Sequence, residues 1–194
     1  MKEFIAENLR NSIAAKEKLA AAQTDDIIRL AQLIAEILKN GNKLLIFGNG
    51  GSAADAQHMA AEFVNRFMID RPPLAAIALT TDSSNITSIG NDFSFDDIFS
   101  KQIQALGKKG DLALGISTSG NSPNVVKAIA AAAEMGLHTV VLTGGSGGKL
   151  ASLAEIVINV PSTCTPHIQE AHLWVEHLLC WLVDDLLFGG KYGA

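Results

Sequence analysis

Residues 43–66 read KLLIFGNGGSAADAQHMAAEFVNR, and this stretch constrains the fold more than any other. Leu44, Leu45, Ile46 and Phe47 form an apolar run of the length of a buried strand. Gly48-Asn49-Gly50-Gly51-Ser52 ends it, and an alanine-rich segment of helical period follows. Glycines there let the backbone turn sharply and come close to a ligand. The helix behind them directs free N–H groups and the positive end of its dipole into the loop. That is an anion site in outline. His58 and Glu62 lie four apart on the same helix, so both project from one face. An anion cradle followed by an imidazole and a carboxylate points to acid–base or metal chemistry on an anionic substrate.

The rest of the chain repeats the strand–loop–helix alternation. Strands are expected over residues 74–79, 111–116, 138–142 and 155–160. Helices are expected from Asp82 or Ser83, over 96–106, from Ser122-Pro123 through Met135, and from Thr165-Pro166 to about Leu187. A short helix follows the glycine loop 143–148, and 90–93 reads as a loop. Ser122 is a ready N-cap and Pro123 a ready first helical residue. Near-continuous apolar strands alternating with helices imply a parallel sheet covered on both faces. Five such strands give an α/β three-layer sandwich with a flavodoxin-like sheet, whose ligands sit beyond the carboxyl ends of the strands at the switch point.

Ahead of this unit, residues 2–21 form a helix with a stripe of Ile5, Leu9, Ile13 and Lys16/Leu19. Thr24-Asp25-Asp26 starts a second helix that Gly41 closes. The α/β unit reads as complete without these helices. They are therefore expected to pack against another subunit, as an N-terminal extension (1–40) of one domain spanning 1–194.

Composition narrows the function classes. A chain of 194 residues with 48% apolar content and no low-complexity tract is long enough for a full core. A net charge of −5 without a basic run disfavours direct nucleic-acid binding. No apolar run approaches the ~20 residues of a membrane-spanning helix, and the charged N-terminus is not a signal peptide. Cys164 and Cys180 form neither a C-x-x-C nor a disulfide framework, so both are expected to be ordinary buried residues in a cytoplasmic protein.

Ser117-Thr118-Ser119-Gly120-Asn121-Ser122 concentrates four hydroxyls at a helix start, enough to hold a phosphate without lysine. Gly48 to Ala53 also satisfies the loose dinucleotide pattern G-x-G-x-x-A, with Asp82 after the next strand. The separate hydroxyl-rich loop and the His58/Glu62 pair count against that reading. In the last helix Gln169, His172, Glu176 and His177 interrupt an otherwise apolar run. Gln169 and His177 are two turns and roughly 80° apart, so they share a flank. Trp174 and Trp181 read as packing.

Five motifs together resemble the sugar isomerase (SIS) domain family, and within it the bacterial phosphoheptose isomerases. They are GNGGSAADAQHMAAE (48–62), TSIGNDF (87–93), GISTSGNSPNV (115–125), LTGGSGG (142–148) and IQEAHLWVEH (168–177). The resemblance spans nearly the whole chain. It implies that Asn49, Gly50, Gly51 and Ser52 line a sugar-phosphate site and that Ser117, Thr118, Ser119 and Ser122 hold the phosphate. It implies that Asn91 and Asp92 contact substrate and that Glu62 and His177 are the acid–base pair. It further implies a Zn²⁺ on His58, Glu62, Gln169 and His177, a homotetramer, and the conversion of sedoheptulose 7-phosphate to D-glycero-D-manno-heptose 7-phosphate. Where members of the family often carry an acidic residue and an arginine ahead of Ile-Gln-Glu, this chain has Pro166 and His167. The alternative is a non-catalytic relative. Asn65-Arg66-Phe67 and residues 181–188 are similar to the DnaA initiator-associating protein, a replication regulator. That pattern lacks the equivalents of Glu62 and His177, which this chain keeps.

Overall fold

The computed structural model describes residues 1–189. Five strands, β1 Leu44–Gly48, β2 Ala76–Ala78, β3 Leu112–Ser117, β4 His138–Gly144 and β5 Ile156–Val160, form one sheet in the order β2-β1-β3-β4-β5. Every pairing is parallel, with Leu44 opposite both Ala76 and Leu112. This is the flavodoxin-like order, not the 3-2-1-4-5-6 order of a dinucleotide-binding sheet, so the G-x-G-x-x-A match lacks the sheet of a dinucleotide site. Along each central strand alternate residues enter opposite cores. Leu44, Ile46, Leu112, Leu114 and Ile116 face one layer, while Leu45, Phe47 and Ala113 face the other.

The first layer holds three helices: α1 Lys2–Lys39, α2 Gly51–Val64 and α6 Thr165–Phe188. The second holds α4 Ser100–Leu106 and α5 Pro123–Glu134, with α3 Ser83–Asp92 packed on it through Ile86 and Ile89. A 3₁₀ turn, Phe95–Asp97, stands where the first turn of one helix over 96–106 is expected. β2 is shorter than the expected 74–79. It is an edge strand bonded only to β1, and Pro72-Pro73 immediately precedes this segment. β4 runs two residues further than expected, which puts Thr143 and Gly144 in the sheet.

The N-terminal segment departs most from expectation. The two expected helices are present, continuous across a kink at Gln23 (φ −132°, ψ 22°); what departs is how they pack. Gln23 donates to the Val157 carbonyl at 2.9 Å and accepts from the Asn159 N–H at 2.7 Å, so its amide continues the edge of β5. Beyond that point Ile27, Leu30, Ala31, Ile34 and Ile37 are buried in the main core. The extension is therefore integral to the α/β unit from its middle onward, and the core is not complete without it. Residues 1–11 are exposed, including Ile5 and Leu9. Ile13 is also exposed; of the expected stripe Leu19 is buried, and the packed face carries Ser12 and Ala15 beside it.

Among the described residues no helix is long and apolar enough to cross a membrane. Cys180 is buried, but Cys164, the N-cap of α6, is exposed, contrary to expectation.

Candidate active site

β1 and β3 are neighbours, and the helices that follow them depart to opposite faces. The loops after the two strands therefore open into one crevice at the carboxyl edge, where α2 and α5 both present their N-termini. Asn49 exchanges two 2.9 Å amide bonds with Asn124, which is buried and also accepts from the Val125 N–H. That pair ties the glycine loop to the hydroxyl loop. Asn124 was not legible in the sequence, because a polar residue in a first helical turn is ordinarily exposed.

Ser117 is the last residue of β3. Its hydroxyl lies 2.9 Å from that of Ser122. Ser122 occupies the N-cap position of α5, with Pro123 behind it, but its side chain makes no capping bond and pairs with Ser117 instead. Thr118 and Ser119 line a cleft of about 250 Å³ with Gly144, Gly145, Ser146, Ser162, Thr163, Thr165 and Ile168. Among the described residues no lysine or arginine lines it; hydroxyls and backbone N–H groups are the anion donors there.

On the other side of the crevice α2 and α6 run side by side in the same direction. At the top, the Gln169 amide lies against Gly51, and a Cβ there would push that side-chain end aside. Two turns on, His58 Nε2 and His177 Nε2 stand 2.9 Å apart, and His58 Nε2 is 3.7 Å from Glu62 Oε1. Phe67 stacks on His177 at 5.4 Å between ring centroids and meets Trp181 edge-on. Burial, then the neighbouring His58, pushes the His177 imidazole below its ordinary pKa, with Glu62 opposing. Two imidazoles at this distance cannot both be protonated without repulsion, so one Nε2–H donates to the other's lone pair. Glu62 is partly open to solvent, as a group that meets substrate must be.

A pair of carboxyls also lies between the two helices, and its Asp55 member is not marked by the sequence pattern. Asp55 on α2 and Glu176 on α6 are pushed above their ordinary pKa values by burial, and Asp55 adds to the effect on Glu176. His172, fully buried, bonds through Nε2 to the Thr143 carbonyl at 2.9 Å. It is a structural neutral imidazole, its pKa pushed down to about 4 by burial.

The segment 90–93 differs from the expected loop. Asn91 and Asp92 lie in the last turn of α3, not in a loop. They are exposed and bonded to each other at 2.8 Å, and no hydrogen bond joins them to the histidine cluster. Among the described residues no group of three or more His, Cys, Asp or Glu forms a metal-holding cluster. A tetrahedral Zn²⁺ with Zn–N of 2.0–2.1 Å would set two ring nitrogens about 3.3 Å apart, and His58 and His177 are closer, at direct hydrogen-bond distance. The donor types nevertheless suit zinc: His58 and Glu62 one turn apart on α2, His177 facing them from α6, and Gln169 on the same helix as His177. Of the two positions that depart from the resemblance, Pro166 is exposed and His167 is buried with its Nε2 unpartnered.

A parallel five-stranded α/β sandwich with an anion crevice and an adjoining imidazole–carboxylate cluster defines a sugar-phosphate-handling class of protein. The SIS domain family matches residues 8–144. A phosphoheptose isomerase from Nitratidesulfovibrio vulgaris is 54% identical over 187 residues, 96% of this chain and 90% of that protein. The solved phosphoheptose isomerase of Neisseria gonorrhoeae is 45% identical with a TM-score of 0.89, covering 95% of this chain and 98% of that one. That of Francisella tularensis is 40% identical with a TM-score of 0.91, covering 94% and 97%. The chain belongs to the phosphoheptose isomerase branch of the SIS domain family and is an isomerase.

Proposed function

We propose that the enzyme interconverts sedoheptulose 7-phosphate and D-glycero-D-manno-heptose 7-phosphate, supplying heptose for surface polysaccharide. The observation that carries this reading is the convergence of His58, Glu62 and His177 from α2 and α6 beside a lysine-free phosphate crevice. Ser117, Thr118, Ser119, Ser122 and the N-termini of α2 and α5 hold the phosphate. Asn49, Gly50, Gly51, Ser52 and Gln169 line the sugar, with Asn91 and Asp92 as further substrate contacts. Glu62 removes a proton from C1 of the ketose, giving the enediolate, and returns it to C2. His177, neutral through its lowered pKa, moves the hydroxyl proton between O1 and O2.

The same donors, His58, Glu62, Gln169 and His177, are proposed to hold one Zn²⁺, whose charge would stabilise the enediolate. The exposed stripe of Phe4, Ile5, Leu9 and Ile13 on α1 supports a homotetramer, read out by light scattering. The compartment proposed is the cytoplasm.

The test is NMR of the purified protein with sedoheptulose 7-phosphate, as isolated, with added Zn²⁺, and after chelation. Aldose-phosphate signals are expected, and their loss on chelation alone would add the metal. Folded protein without turnover under all three conditions would refute the isomerase and favour the DnaA-binding regulator.

A further inference from the structure

We infer that Arg71, paired with Asp184, is a positioning residue that sets the separation of Glu62 and His177; this rests on the isomerase reading above. Arg71 is buried at 8% exposure in the loop after α2, where the sequence reads only as a proline-rich break. All three guanidinium nitrogens donate. Nη2 donates to the Glu62 carbonyl at 2.8 Å, and Nη1 donates to the carbonyls of Phe63 at 2.7 Å, Asn65 at 3.3 Å and Pro72 at 3.2 Å. Nε donates to Asp184 Oδ1 at 2.8 Å.

The carbonyls of Glu62 and Phe63 are among the last four of α2, which have no partner within the helix. One planar cation therefore closes the helix end and grips the backbone of the very residue whose side chain enters the site. Asp184 lies seven residues after His177 on α6, so it falls on nearly the same face two turns away. The two parallel helices are thus joined by three rungs: Gly51 against Gln169, His58 against His177, and the end of α2 to Asp184 through Arg71. The reacting side chains sit between two fixed rungs. Among the described residues Asp184 Oδ2 has no partner, so the pair meets through a single oxygen.

Removing the fork leaves the phosphate crevice intact, since none of its residues touches Arg71. Arg71→Met is therefore expected to lower kcat about ten- to a hundredfold, the scale of a small misplacement of catalytic groups, with KM within about twofold. Asp184→Asn, which keeps an acceptor oxygen in place, is expected to retain most of the turnover, and Asp184→Ala to resemble Arg71→Met. Long-range ¹H–¹⁵N spectra of the imidazoles supply a readout independent of turnover. The ring signals of His58 and His177 should move in Arg71→Met and Asp184→Ala, while those of the distant His138 stay. Should Arg71→Met fail to fold, the two Asp184 variants decide the matter. Wild-type kcat with unmoved ring signals in a folded variant would overturn the inference, as would equal losses in kcat and substrate affinity. If the wild-type protein itself turns over no heptose phosphate, the isomerase reading fails, and the ring signals still decide whether Arg71 sets the cluster.

Discussion

His58 and His177 are 119 positions apart in the chain and meet Nε2 to Nε2 at 2.9 Å. The contact exists because α2 and α6, each following a strand of one parallel sheet, cover the same face and run in the same direction. It sets the tautomers: one Nε2 carries a proton, the other a lone pair. It also places Glu62, one turn beyond His58, within reach of the same space.

Glu62→Gln should reduce kcat by about 10²- to 10⁴-fold, the range for removal of a general base, with little change in KM. The amide keeps the shape and cannot accept the carbon proton. Steady-state turnover of sedoheptulose 7-phosphate measures this; near-normal kcat would sink the assignment.

Ser122→Ala should act on binding. Its hydroxyl and that of Ser117 are paired in the crevice. A hydrogen bond to a charged group is worth about 1.5–3 kcal/mol, so KM for the sugar phosphate should rise at least about tenfold. An equal binding loss in ground and transition states leaves kcat nearly unchanged. A fall in kcat at constant KM would move Ser122 from the phosphate to the reacting end.

Gly120→Ala should destabilise the protein and damage the crevice together. Gly120 has φ +65°, and a Cβ there would run into the carbonyl of Gly147 in the facing loop. Strain of this kind costs about 1–3 kcal/mol, and a chain of this size loses about 2–4 °C of Tm per kcal/mol. Calorimetry with a parallel KM measurement checks both effects; an unchanged Tm would refute the backbone clash.

His172 should make stability depend on pH. Its folded pKa is about 4 and its ordinary value 6.5. Between these values the unfolded chain binds a proton that the folded protein does not, so stability falls as pH drops from 6.5 towards 4. The full effect is bounded at about 3 kcal/mol. Urea unfolding at pH 7 and pH 4.5 should show a smaller pH difference in His172→Gln than in the parent. Glu176, with its raised pKa, contributes with the opposite sign and is common to both proteins, so it cancels in the comparison. Identical pH differences would remove His172 from the account.

How much of this was legible beforehand follows from the range of the interactions involved. Ser122-Pro123 marks the start of α5, because helix starts are decided within a few residues. The stripe on α1 was legible as a stripe but not as a surface. Period alone marks Ile5, Leu9 and Ile13 as apolar, and Ser12, Ala15 and Leu19 are the residues that pack. Asn91 and Asp92 were assigned to a loop because Gly90 precedes them, yet α3 continues through that glycine.

The sequence by itself determined the alternation of strands and helices, the phosphate-suited loop at 117–122 and the pairing of His58 with Glu62, since each depends on neighbours along the chain. Only the tertiary structure decided the joining of α1 to the core through Gln23, the Asn49–Asn124 tie, the meeting of His58 with His177 and the Arg71–Asp184 clamp. These contacts span tens of residues or more and come from which faces the crossovers bring together; no local pattern of residues encodes that.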